Sequence, residues 1–170
     1  MAKEVASSMA ETEASPLLVA AVIVHDVSDK RVLLIQRGPG APFAPSHFDL
    51  PIGKAHTGEP IVSTAVRELR EETGLIVEPE SLSLTGAIHG AWGAAAPEGF
   101  LTLVFATQTW KREPVNAEPH KHSQVTWCRT DQIPNVFVPA TRQALISYLR
   151  ANVEVILNGF PTRDAPTGPS

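Results

Sequence analysis

The sequence predicts an α+β domain in which one mixed β-sheet is clasped between two helices. Two observations predict it. Apolar, β-branched runs come first, an amphipathic segment interrupts them, further strand-like runs follow and a second helical segment closes the order, without the regular strand–helix alternation of a doubly wound sheet. At 170 residues, 43% of them hydrophobic, the chain is one domain long and fills a single core without disulfides.

The small, polar residues 1–16 show no periodicity and read as a disordered arm, and the folded unit is expected over 17–159. Leu17–His25 and Arg31–Arg37 read as two strands joined by the turn Asp26–Lys30. Gly38–Ser46, with three prolines and two glycines, is a loop, and Gly53–Glu59 is a second break. A helix opens at Pro60 and stops at Gly74, with Val62, Ala65, Val66 and Leu69 at i, i+3, i+4 and i+7 as its buried stripe. Strands are expected at Ser81–Ile88, Phe100–Thr109 and Gln124–Cys128. A second helix is expected from Ala140 to Leu157, turning Ala144, Leu145, Tyr148 and Leu149 inward. Residues 160–170 carry three prolines among small residues and read as a flexible tail.

Charge and cysteine count exclude several function classes. Fourteen basic against eighteen acidic residues leave a net charge of −4, the opposite of the basic stripe a nucleic-acid binder needs. Cys128 is the one cysteine, so no disulfide, cysteine zinc site or CxxC pair can form, and a reducing, cytoplasmic setting is expected. The apolar run Leu17–Val24 falls short of the roughly 20 residues that span a bilayer, and no basic-then-apolar leader precedes it. A P-loop, a GxSxG elbow and a Cys–His nucleophile pattern are all missing.

The chemistry is concentrated in Gly53–Leu75, GKAHTGEPIVSTAVRELREETGL. Glu68, Glu71 and Glu72 cover an arc of about 100° beside the apolar stripe. Like charges at that spacing repel, and they crowd the electronegative end of the helix, so a positive partner is needed. A solvated acidic face balanced by Arg67 and Arg70 is the bland reading. Hard oxygen ligands suit Mg²⁺ or Mn²⁺, which bridge to phosphates, so the cluster otherwise implies a phosphorylated substrate.

The spacing Gly53, Glu59, Arg67-Glu68-Leu69, Glu71-Glu72, Gly74-Leu75 resembles the complete signature box of the Nudix family. Nine such matches arise by chance with odds on the order of one in ten million. Leu50-Pro51 upstream and Trp110–Pro114 downstream look like the MutT-type branch, and the resemblance spans most of residues 17–155. It implies an α/β/α sandwich and divalent cations held at a loop–helix–loop. It also implies hydrolysis of nucleoside diphosphates linked to a variable moiety, with water attacking a phosphorus of the pyrophosphate bridge.

By position, the resemblance makes Glu71, Glu72 and the carbonyl of Ile52 ligands of Mg²⁺, for which Mn²⁺ can substitute. Glu68 becomes the general base or a further ligand. Arg67 would orient the carboxylates, Glu59 would tie the loop to the helix, and Gly53 and Gly74 would serve backbone geometry. Counting from Glu113-Pro114 makes Glu118 a fourth acidic ligand, and Lys54 resembles the family's phosphate contact. Two departures stand out. Ile52 replaces the usual glycine before Gly53, and Phe137 takes the place of the asparagine that reads a purine in MutT-type enzymes. Phenylalanine packs against a base but cannot read its edge, which argues against an 8-oxo-guanine triphosphate specialist.

His120 and His122 lack a third nitrogen or sulfur ligand nearby and read as a polar loop near the substrate, while Trp92, Trp110 and Trp127 read as packing residues. The sequence therefore points to a Mg²⁺-dependent pyrophosphohydrolase of a small nucleotide, first an NTP or dNTP giving the monophosphate and pyrophosphate. ADP-ribose, nucleotide sugars and dinucleoside polyphosphates are the competing substrates. A nucleotide-sensing module is the rival outside the enzymes, although its marks, a broken carboxylate set or a fused DNA-binding segment, are missing. A homodimer is compatible with the chain, but no symmetric apolar stripe announces one.

Overall fold

The computed structural model describes residues 13–93 and 96–161. The expected arm lies outside the described residues over 1–12 and the tail over 162–170; residues 13–16 carry neither helix nor strand. The chain runs β1 (Leu17–Asp26), β2 (Arg31–Arg37), β3 (Phe48–Asp49), β4 (Ile52–Lys54), α1 (Ile61–Thr73), β5 (Ser83–Gly90), β6 (Phe100–Thr107), β7 (His122–Arg129), α2 (Pro139–Leu149) and β8 (Glu154–Asn158).

Strand β1 is the spine of the sheet. It pairs in parallel with β6 from Leu17 opposite Phe100 to Val24 opposite Thr107, and antiparallel with β4, whose Gly53 stands opposite Ala20. Beyond β6 lie β5, antiparallel, and β8, parallel to β5; on the other side β2 carries β3 and β7. A strand buried on both faces reads as an unbroken apolar run, and Val19–Val24 is one. Its alternate residues serve two cores. Ala20, Val22 and Val24 pack with Ala65 and Leu69 of α1, whereas Ala21 and Ile23 pack with Leu145 of α2. The sheet is thus filled between two helices, the arrangement expected.

The last element departs from expectation. The second helix ends at Leu149, and the residues read as its continuation form β8. Ala151 takes a left-handed φ of 59°, which turns the chain, and the β-branched Val153, Val155 and Ile156 then suit an extended strand better than a helix. Burial of Ile156 beneath α2 and pairing with β5 secure that choice. The two short strands β3 and β4 were not expected either. Two and three residues are too short for any periodicity to show, and both form by pairing with longer neighbours.

Candidate active site

The site forms where β4 runs past α1. Pro60 precedes the helix and leaves no N–H to satisfy, while Gly74 ends it in the left-handed region at φ 71°, its N–H donating to the Arg70 carbonyl at 2.9 Å. The face carrying Thr64, Ala65, Leu69 and Thr73 is buried, and Glu72 is buried with it, only 5% exposed. Strand β4 holds Gly53 against Glu68: a Cβ there would lie 1.9 Å from the Glu68 carboxyl carbon, so only glycine lets that side chain lie on the backbone.

Arg67 binds the loop and the helix together. Its Nε and one terminal nitrogen grip the two Glu59 oxygens at 2.8 and 2.9 Å, and the same terminal nitrogen donates to the Lys54 carbonyl at 2.9 Å. The other reaches Glu68 at 2.7 Å and Glu71 at 3.1 Å. All five donors of the guanidinium fork are used, which fixes its orientation. Glu59 also accepts from the His56 N–H and the Thr64 hydroxyl. The Arg67 hydrogen bonds, foremost among these contacts, hold its carboxyl well below the usual range.

Glu72 has the opposite environment. Its Oε2 accepts the Ile52 N–H at 2.9 Å, but burial pushes its carboxyl well above the usual range, and the charges of Glu68, Asp49 and Glu118 push the same way. The segment 115–122 brings Glu118 and His122 to it. The segment docks on the end of α1 through Val115 N–H to the Thr73 carbonyl and Ala117 N–H to the Glu72 carbonyl. Donor atoms of Glu72, Glu118 and His122 then lie within 4.8 Å of one another. Glu118 Oε1 pairs with Lys121 at 2.7 Å, and burial pushes the His122 imidazole below its usual range, towards the neutral form.

A cleft of about 840 Å³ opens over these groups, within the size range of small-ligand sites. Glu68 and Glu72 lie on its floor, Arg37, Lys54 and Lys121 line its walls, and the loop from Gly38 to Pro42 forms one side. Arg37 is tethered at 3.3 Å to the buried Asp49, which also accepts from the Thr141 hydroxyl at 2.6 Å. Burial pushes the Asp49 carboxyl up to about 6. Carboxylates facing cations across one cleft can hold a divalent ion and the phosphates it bridges.

The residues singled out from the sequence are only partly brought together. Ile52, Gly53, Lys54, Glu68 and Glu72 line the cleft, and Glu118 stands behind it. The Glu71 side chain is 48% exposed and turned to Arg67, on a depression outside the cleft. Phe137, expected against a base, is only 3% exposed and lies in the core beneath α2. Its bridge to Phe48 draws it inward, with Phe48 N–H bonded to Val136 O and Val138 N–H to Phe48 O, and it borders a separate cavity beside Arg142 and Ile146. Sequence reasoning missed Arg37, Asp49 and the burial of His122. Arg37 ends an apolar strand just before the Pro/Gly loop, a signal that could have found it; the partner of His122 is fifty residues away in the chain, and no local pattern shows it.

Comparison with known proteins agrees with this geometry. The model of the NUDIX domain matches residues 16–148, and the chain belongs to the Nudix family. It is similar to a MutT NUDIX hydrolase from Burkholderia pseudomallei, at 30% identity over 78% of this chain and 97% of that one, with a TM-score of 0.67. A NUDIX hydrolase from Nitrosomonas europaea (23% identity, 81% and 91% coverage, TM-score 0.66) and a mutator MutT protein from Bacillus halodurans (22%, 82% and 85%, 0.61) share the fold. No curated protein matches the sequence. The protein is a MutT-like pyrophosphohydrolase of a family that hydrolyses nucleoside diphosphates linked to a further group and typically uses a divalent metal. None of its described helices is long and apolar enough to cross a membrane.

Proposed function

We propose that the protein hydrolyses the pyrophosphate linkage of an NTP or dNTP to the monophosphate and pyrophosphate, with Mg²⁺ as its cofactor and Mn²⁺ as a substitute. The observation that carries this reading is one cleft lined both by the carboxylates of Glu68 and Glu72 and by the cations Arg37, Lys54 and Lys121, with Glu118 adjoining Glu72. The residues fit a hard cation: Glu118 Oε2 is buried without a hydrogen-bond partner, and Glu72 is buried among other acids, an arrangement that a divalent ion would stabilise. Glu72, Glu118 and the Ile52 carbonyl would hold the metal, which when bound neutralises the phosphate oxygens and lowers the pKa of water; Glu71, turned to Arg67 outside the cleft, would join them only by swinging away from Arg67.

The remaining work belongs to side chains of this chain. Lys54 and Arg37 bind the anionic phosphates and receive the charge that builds on the leaving oxygen. Glu68, held by Arg67 and lying on Gly53, takes the proton of the attacking water, and Arg67 keeps its carboxylate aimed. The excess of acid argues for a small ligand rather than nucleic acid, and the lone Cys128 fits a reducing cytoplasm.

The test is release of phosphate and pyrophosphate from NTPs, dNTPs, ADP-ribose, nucleotide sugars and dinucleoside polyphosphates, with Mg²⁺, with Mn²⁺ and with EDTA. Turnover of the triphosphates that EDTA abolishes supports the reading. Turnover confined to another class would replace the substrate, and tight nucleotide binding without turnover would make the protein a sensor.

A further inference from the structure

Among the described residues, the buried side-chain atoms left without a hydrogen-bond partner are Asn116 Oδ1, Glu118 Oε2 and His122 Nδ1. All three come from one short segment, and two of them belong to residues that meet Glu72. Leaving a buried polar atom unpaired costs about 1–3 kcal/mol, so a concentration of such atoms at one place marks a missing partner. Oδ1 and Oε2 are acceptors, so the partner they lack is a cation or a donor.

His122 is the informative member. Only 6% exposed, it is fixed by its own N–H to the Glu118 carbonyl at 3.0 Å and by Asn116 Nδ2 to its carbonyl at 2.8 Å. Its Nε2 lies 3.5 Å from Glu72 Oε1, beyond ordinary hydrogen-bond length. Two ligands bound at about 2.1 Å to one ion at right angles sit roughly 3 Å apart, so a small shift would bring Nε2 and Oε1 onto one shared cation. Coordination through Nε2 requires the neutral imidazole with its proton on Nδ1.

We propose that His122 is a ligand of the divalent cation, joining Glu72 and Glu118 in a mixed nitrogen–oxygen set that binds Mn²⁺ or Co²⁺ more tightly than an all-oxygen set would. The inference rests on the metal-dependent reading above and adds to it a nitrogen donor. Imidazole suits the later first-row ions, whereas Mg²⁺ prefers oxygen throughout, so the added nitrogen strengthens binding of the former selectively.

Pulsed EPR of Mn²⁺ bound to the full chain tests this without any variant. The expected spectrum carries the modulation of a directly bonded ¹⁴N, and labelling the protein with [¹⁵N]histidine replaces it with that of ¹⁵N. His122→Gln should abolish the nitrogen signal and weaken Mn²⁺ binding by about 10- to 100-fold, while Mg²⁺ binding changes by less than about threefold. His120→Gln should leave both unchanged. Bound Mn²⁺ without nitrogen modulation in the wild type overturns the ligand role of His122 and leaves the metal-dependent reading intact. Failure to bind Mn²⁺ or Mg²⁺ at all would remove both.

Discussion

The Ile52 N–H donates to Glu72 Oε2 at 2.9 Å, joining a strand residue to a helix residue twenty positions away and fixing a buried carboxylate at the base of the cleft. Burial would drive that carboxylate towards its neutral form, yet metal binding needs it charged. The site therefore holds an acid whose charge is costly until a cation arrives, and activity and stability oppose one another here.

Replacing Glu72 by Gln separates the two. Glutamine still accepts the Ile52 N–H but carries no charge, so in EDTA at pH 7 the variant should be at least as stable as the wild type. Its kcat should fall by at least about 10²-fold, as loss of a key electrostatic group does. Thermal unfolding in EDTA and steady-state kinetics in Mg²⁺ read the two halves. A variant that is both fully active and less stable would remove the metal role of Glu72.

Glu68→Gln should also lower kcat by about 10²-fold or more, with little change in Tm, because the amide oxygen can still accept from Arg67. If Glu68 is the base, raising the pH should recover part of the lost rate as hydroxide replaces assisted water. A rate that stays flat between pH 7 and 10 favours the role of further metal ligand.

Gly53→Ala places a methyl group where the Glu68 carboxyl lies. The side chain must leave or the strand must shift, a cost of about 1–3 kcal/mol in Tm or denaturant midpoint, and kcat should fall with it. Gly58→Ala is the control for backbone strain alone: its Cβ would meet nothing within 4 Å but its φ is 77°, so it should lose stability and keep kcat. Equal activity in Gly53→Ala and wild type would show that Glu68 need not rest on that backbone.

Asp49 governs part of the pH dependence. Its carboxyl is raised from 3.8 to about 6 by burial, so between those values the folded protein holds a proton that the unfolded chain has lost. Stability contributed by this group therefore falls as pH rises from about 4 to 6, by about 3 kcal/mol at full extent. Asp49→Asn should flatten the profile between pH 4 and 7 in urea titrations. Glu72 acts in the same direction, so some slope persists. An unchanged profile would show that Asp49 titrates as an ordinary carboxylate.

Within the site, the local signals were those of one helix. Glu68, Glu71 and Glu72 fall on adjoining turns because 3.6 residues make a turn, and Gly74 ends the helix because an L side chain resists positive φ. Such facts depend on neighbours in sequence, and the sequence alone displays them. The stripe Ala65 and Leu69, the paired strands β1 and β2 and the order of strands and helices were visible for the same reason.

Tertiary structure alone decided the rest. It turned Glu154–Leu157 from a plausible helical extension into β8, because pairing with β5 outweighs local preference. It drew Phe137 into the core through its bridge to Phe48, and it brought Arg37, Asp49 and Thr141 together from three elements. It also set His122 beside Glu72. The acids lie on one helix, whereas the nitrogen we propose as a further ligand reaches them across the fold, and only the packing of segment 115–122 onto α1 puts it there.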